Sequence, residues 1–241
     1  MTATRLRLGM ITPSSNTVLE PMTARLLAQV PQITAHAARI RVTEISLAAG
    51  SVGQFDTAPM AEAAALLAEA RVGSVCWNGT SAGWLGPDRD RTLCAAITAQ
   101  TGVPATSAVL ATLDALAALP GRKLGLVTPY VAEVQDRVRA NFAAEGFPIA
   151  ADRRLDITEN FAFAEVSEPR IERMIREVAV EGAEAVVVLC TNLRGAALAE
   201  RLEAELGITL FDSVSVALWG AIRAADGDTA AVKGWGRLFE I

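Results

Sequence analysis

Leu8-Gly9-Met10-Ile11-Thr12-Pro13 returns 116 residues later as Leu124-Gly125-Leu126-Val127-Thr128-Pro129. A short apolar run that ends in Thr-Pro reads as a buried strand closed by a turn, and meeting it twice in one chain points to internal duplication. Two further pairs follow in the same order. Residues 75–83 match 186–194 at a spacing of 111, which sets Gly79-Thr80-Ser81 against Cys190-Thr191-Asn192. Gly102-Val103-Pro104 with Ser107 following matches Gly207-Ile208-Thr209 with Ser213 following, at a spacing of 105.

Ala-rich amphipathic stretches at 16–29, 87–101, 131–145 and 195–206 alternate with these apolar runs, which is the rhythm of βαβ units. The expected fold class is therefore α/β, with two pseudo-symmetric, Rossmann-like halves, each a parallel sheet flanked by helices. The expected first half is 1–117, with 215–241 crossing back onto it, and the second is 118–214. Ligands of open α/β sheets bind beyond the carboxyl ends of the strands. There the repeat places Pro13, Gly79, Pro129 and Cys190, facing one cleft between the halves.

Composition narrows the function. The chain has 241 residues, 51% of them hydrophobic and 20% charged, so it can bury a substantial core. A net charge of −5 with no basic run argues against nucleic acid as a partner. The longest apolar stretches, such as 183–190, fall far short of the roughly 20 residues of a membrane span. Residues 1–8 show no leader pattern, so a cytoplasmic protein is expected. A homo-oligomer is compatible with this composition, which fixes no assembly state. Three scattered cysteines and a single histidine suggest neither a disulfide framework nor a Cys/His metal site. Gly79, Gly83 and Gly86 lack the dinucleotide spacing, so no nucleotide cofactor is expected.

With His36 as the sole imidazole, an acid or base is more readily Cys, Tyr or carboxylate. Cys190 ends an apolar run and precedes a polar turn into a helix. There, backbone N–H groups and the helix dipole are expected to lower the pKa of a solvent-accessible thiol. Cys76, inside its strand, and Cys94, on a helix, read as packing residues. Asn78-Gly79-Thr80-Ser81 offers hydroxyls and N–H groups either to an oxyanion or as helix caps. Pro13-Ser14-Ser15-Asn16 opens the first helix in the same two-sided way, with Asn16 able to donate to a carboxylate. Tyr130, the only tyrosine, can donate to an anion, move a proton, or anchor the turn. His36, in the alternating stretch 36–41, reads as solvated. Ile40, Thr43 and Phe161 are candidates for setting pocket size.

These motifs resemble the Asp/Glu racemase superfamily, and within it the branch of maleate cis-trans isomerases and arylmalonate decarboxylases. Pro13-Ser14-Ser15-Asn16, the stretch 36–41, Thr128-Pro129-Tyr130 and Glu159-Asn160 resemble the isomerases. Asn78-Gly79-Thr80-Ser81 and the ending Gly234-Trp235-Gly236-Arg237-Leu238-Phe239 look more like the decarboxylases. The resemblance implies an enzyme free of cofactor and metal that acts on a small dicarboxylate. Racemases and isomerases of the family carry two cysteines across the cleft, whereas arylmalonate decarboxylases keep only the second.

Here Gly79 holds the first position and Cys190 the second. The resemblance then implies decarboxylation to an enediolate and protonation by Cys190. Thr80, Ser81, Tyr130 and the Thr191 N–H are the implied oxyanion donors, and Asn16 and Asn160 the implied carboxylate contacts. The alternatives are maleate isomerase or racemase chemistry on a small dicarboxylate, and a non-catalytic carboxylate-binding protein. On this reading Gly79→Cys would restore a second acid/base across the cleft.

Overall fold

The computed structural model describes residues 5–45, 47, 53–119 and 121–241. Residues 1–4 of the N-terminal segment lie outside these, as do short pieces of both proposed halves. The first half runs β1 (Leu6–Pro13), α1 (Leu19–Leu26), β2 (Ile33–Ile40), α2 (Thr57–Glu69), β3 (Ser74–Trp77), α3 (Ala82–Leu85), α4 (Pro87–Thr101), β4 (Ala105–Ser107) and α5 (Ala108–Ala117). The second runs β5 (Leu124–Thr128), α6 (Ala132–Ala144), β6 (Ile149–Arg154), α7 (Asn160–Ala164), α8 (Glu168–Val180), β7 (Ala185–Val188), α9 (Ala199–Leu206) and β8 (Thr209–Asp212). A last long helix, α10 (Ser213–Ala224), follows.

Two four-stranded parallel sheets result, ordered β2-β1-β3-β4 and β6-β5-β7-β8. Strand pairing reproduces the sequence repeat residue for residue. Gly9 pairs with Val75 and Val75 with Ala105, while Gly125 pairs with Val186 and Val186 with Leu210. These are the spacings of 116, 111 and 105 read from the sequence. Helix ends repeat too. Gly102 and Gly207 take left-handed φ of 69° and 70°, where a side chain would be strained, and terminate α4 and α9.

Three expectations are corrected. Helix α1 begins at Leu19 rather than 16, because the Asn16 carboxamide oxygen accepts from the Val18 and Leu19 N–H groups and holds the chain outside the helix. The stretch expected to be helical from 195 opens with a 3-10 turn at Ala196–Leu198. In the third repeat pair, Ser107 matches Asp212, not Ser213. Ser107 Oγ accepts from Leu110 N, and Asp212 Oδ1 accepts from Val214 and Ser215 N, so both residues cap the next helix.

Helix α10 leaves the second sheet and packs on β1, β3 and β4 of the first, against α5. The turn Arg237–Glu240 comes back to β8, and the Arg237 N–H donates to Glu203 of α9. On this packing we propose the division into 1–117 with 215–241 and 118–214, its last turn bridging both halves. Among the described residues, no helix is long and apolar enough to cross a membrane.

Asp90 on α4 is 3% exposed, and its Oδ2 has no partner. Burial lifts its carboxyl to about 7, against the Ser107 hydroxyl, which pulls it down. An acid raised in this way stabilises the fold fully below its unfolded pKa, near 3.8, and loses that contribution as pH climbs through about 7. Urea unfolding at pH 4 and pH 8 should therefore show wild-type stability falling more than that of Asp90→Asn, by on the order of 4 kcal/mol. Equal pH dependence in the two proteins would contradict the assignment.

Candidate active site

The carboxyl ends of β1, β3, β5 and β7 meet where the two halves face each other. Asn16 Nδ2, after β1, donates to Thr191 Oγ1 at 3.0 Å, and Thr191 Oγ1 donates to the Asn78 carbonyl at 2.7 Å. Turns from three strands and both halves are thus joined by one buried chain. Asn78 is itself fixed, its Nδ2 donating to the carbonyls of Ile11 and Cys76.

Beside that chain lie Thr80, Tyr130 and Cys190, all buried. Thr80 Oγ1 and the Tyr130 hydroxyl are 2.6 Å apart, and the phenol lies near enough to Cys190 for each group to shift the other's pKa. Tyr130 stands edge-on to Trp84 and Phe163, with ring centroids at 5.0 and 5.8 Å. That packing fixes the hydroxyl's direction. Burial holds the phenol well above its ordinary pKa, with the neighbouring Cys190 adding to the rise, so it is a neutral donor.

The thiol differs from expectation in two respects. Cys190 is 3% exposed rather than solvent-accessible. Burial pushes its pKa up to about 12, although the Asn192 N–H, which reaches the sulfur at 3.4 Å, and the Tyr130 hydroxyl both pull it down. Desolvation outweighs the turn's N–H groups, so the resting group is a thiol and not a thiolate.

The first-half counterpart is Gly79. A Cβ built on it would lie 2.0, 2.3 and 2.7 Å from three ring carbons of Trp77. The expectation that Gly79→Cys simply restores a second acid/base is corrected accordingly: an indole already holds that space.

The other sequence candidates divide. Ser14 and Ser15 hydroxyls both donate to the Val42 carbonyl, and Ser14 is exposed. They tie the loop after β1 to the segment after β2. Pro13 ends β1 opposite Ile40. Ser81 is buried at the start of α3 and lines a cavity of about 20 Å³ with Trp77 and Asp90. Asn160 Nδ2 donates to Ser15 Oγ at 2.7 Å, and its N–H donates to the Thr43 carbonyl. Ile45 N also donates to Thr158 O, so residues 43–45 and 158–160 form a seam between the halves. Ile40 is buried, Thr43 is exposed and held by Gln54, and Phe161 is 48% exposed. His36 is half-buried on β2 and bonds Thr34. Cys76 and Cys94 are buried in the first half, their thiols raised by burial. Among the described residues, no group of three or more His, Cys, Asp or Glu converges as a metal site.

Asn192 was not singled out from the sequence. Its Nδ2 donates to the Asn160 carbonyl at 2.6 Å and its Oδ1 accepts from Thr17 N at 3.0 Å, so it spans both sides of the cleft. Its match with Ser81 in the repeat was the available signal. Asp212, buried with its carboxyl raised to about 7 by desolvation, adds a charge that opposes ionisation of Cys190.

Comparison with known proteins agrees with this arrangement. Residues 8–239 match the family model described as arylmalonate decarboxylase. The chain is 26% identical over 250 residues to a maleate isomerase of Nocardia farcinica, covering 96% of this chain and 94% of that protein. It is 31% identical over 150 residues to an arylmalonate decarboxylase of Bordetella bronchiseptica, covering 61% and 62%. A solved structure of the Nocardia farcinica maleate cis-trans isomerase bound to TRIS superposes with a TM-score of 0.88 at 25% identity, over 97% of both chains.

Asn192→Ala strips partners from the buried Asn160 carbonyl and the Thr17 N–H. It should destabilise the protein by about 1–3 kcal/mol in urea unfolding. A change within about 0.5 kcal/mol, as at an ordinary surface position, would contradict this bridging role.

Proposed function

The chain belongs to the arylmalonate decarboxylase family, and from that premise we propose that it decarboxylates a substituted malonate, with Cys190 as proton donor. Its relatives are a maleate isomerase and an arylmalonate decarboxylase, enzymes acting on small carboxylates, and the coarse activity follows from them. The finer reading rests on one observation: a single buried thiol, held protonated, faces the Thr80–Tyr130 pair while the opposing position is glycine.

In this mechanism the bond between the α-carbon and one carboxylate breaks and carbon dioxide leaves. The electron pair passes into the remaining carboxylate as an enediolate, stabilised by the hydroxyls of Thr80 and Tyr130. The α-carbon then takes the proton of Cys190, and the resulting thiolate rests against the Asn192 N–H until solvent reprotonates it. A thiol with its pKa near 12 is protonated at neutral pH and so holds the proton that the carbon must receive. Burial of Thr80, Tyr130 and Cys190 keeps water from the carbanionic species. The three free cysteines fit a reducing cytoplasm.

A second reading, isomerisation of a cis-dicarboxylate such as maleate, is favoured by the near-complete coverage of the maleate isomerase and by the carboxamides of Asn16 and Asn160. The glycine at position 79 weighs against it, because the resemblance to the isomerases implies a cysteine there.

An aryl-substituted methylmalonate and maleate, each incubated with the enzyme and followed by proton NMR, separate the two. The expected result is a propionate formed as one enantiomer, with no fumarate. Cys190→Ala should lower that turnover by about 10²- to 10⁴-fold and Tyr130→Phe by about 10²- to 10³-fold. Fumarate without decarboxylation, or near-normal turnover by Cys190→Ala, would overturn the proposal.

A further inference from the structure

We infer that Trp77 is the residue that makes this a one-thiol site: its indole fills the side-chain space of position 79, the counterpart of Cys190 in the repeat. The inference deepens the proposed decarboxylase reading and rests on it for its catalytic meaning.

Gly79 is not among the residues with positive φ, so no turn conformation demands glycine there. What excludes a side chain is the ring. Its Cζ2, Cε2 and Cη2 atoms would lie 2.0, 2.3 and 2.7 Å from a Cβ at 79, far inside van der Waals contact. Trp77 is fully buried on β3, between Ile11 of β1 and Ser107 of β4. The cavity beside it, about 20 Å³, has room for one water and not for an indole to swing into.

The repeat shows the alternative arrangement within the same molecule. Position 77 corresponds to Val188 and position 79 to Cys190, at the spacing of 111 that the strand register confirms. In the second half a small residue at the strand end leaves room for a thiol two residues on. In the first half a large one removes it. The two positions therefore vary as a pair, Trp with Gly and Val with Cys. A thiol at 79 needs a smaller residue at 77.

The test is a stability cycle with a chemical readout. Gly79→Ala and Gly79→Cys are each made in the wild-type background and together with Trp77→Val; Trp77→Leu replaces the valine should that variant fail to fold. In the wild-type background each position-79 variant should lower Tm by roughly 5 °C or more, as overpacked cores do. In the smaller-residue background the same changes should leave Tm unchanged or raise it. An unchanged Tm in the wild-type background, or equal losses in both backgrounds, would overturn the inference whatever the enzyme's reaction proves to be.

The second readout uses one enantiomer of the propionate product in deuterated water. In Trp77→Val/Gly79→Cys the new thiolate can take the α-proton while Cys190 delivers its own to the opposite face, leaving one thiolate and one thiol as at the start. Loss of optical purity with α-deuterium uptake should appear in the double variant and be at least tenfold slower in Gly79→Cys alone. Equal rates in the two would show that the indole does not block the position. Failure of the wild-type enzyme to decarboxylate any malonate would count against the proposed function and leave the Tm cycle to decide the steric coupling.

Discussion

The hydrogen-bond chain from Asn16 through Thr191 to Asn78 holds two separate sheets in a single register. Each of these groups is buried, and a buried amide or hydroxyl left without a partner costs about 1–3 kcal/mol. The halves must therefore dock in the one arrangement that satisfies all three. Asn192 repeats this logic with Thr17 and Asn160, and the 43–45 seam with 158–160 closes what remains. Dehydration of the cluster is a consequence of that docking. It sets the state of the thiol, because the same exclusion of water that satisfies the polar chain raises the pKa of Cys190.

Much of the fold was legible because duplication leaves a periodic trace that does not depend on long-range contacts. The spacings of 116, 111 and 105 are strand-pairing registers, and Gly102 and Gly207 end equivalent helices because both must adopt positive φ. Local capping was less legible. In the sequence Asn16 reads as a cap or a carboxylate donor, whereas its two ends do separate jobs, Oδ1 on α1 and Nδ2 on Thr191. The match of Ser107 with Ser213 slipped by one residue, since serine resembles serine more than aspartate in a string, while Ser107 and Asp212 are alike in what they cap.

The chemistry of the site was the part the string concealed. A strand end before a helix suggests an activated, accessible thiolate, and burial beside Tyr130, sixty positions earlier in the chain, reverses that expectation. Glycine at position 79 was visible as a missing cysteine, but not as the partner of a ring two residues earlier. Family membership does not separate decarboxylation from isomerisation, and the distinction falls to the glycine at position 79 and to the protonation state of the one sulfur at position 190. A nucleophile adding to a double bond must be a thiolate, whereas an acid quenching an enediolate must hold its proton.

Direct titration of the thiol tests this most sharply. Thiolate ultraviolet absorbance of the native enzyme, followed between about pH 6 and pH 10 and compared with Cys190→Ser, should show no thiolate from Cys190 across that range. Cys76 and Cys94 are also raised by burial and should stay silent there, leaving a flat baseline. A one-thiolate step within the range, present in the native enzyme and lost in Cys190→Ser, would contradict the account of Cys190 as a buried acid.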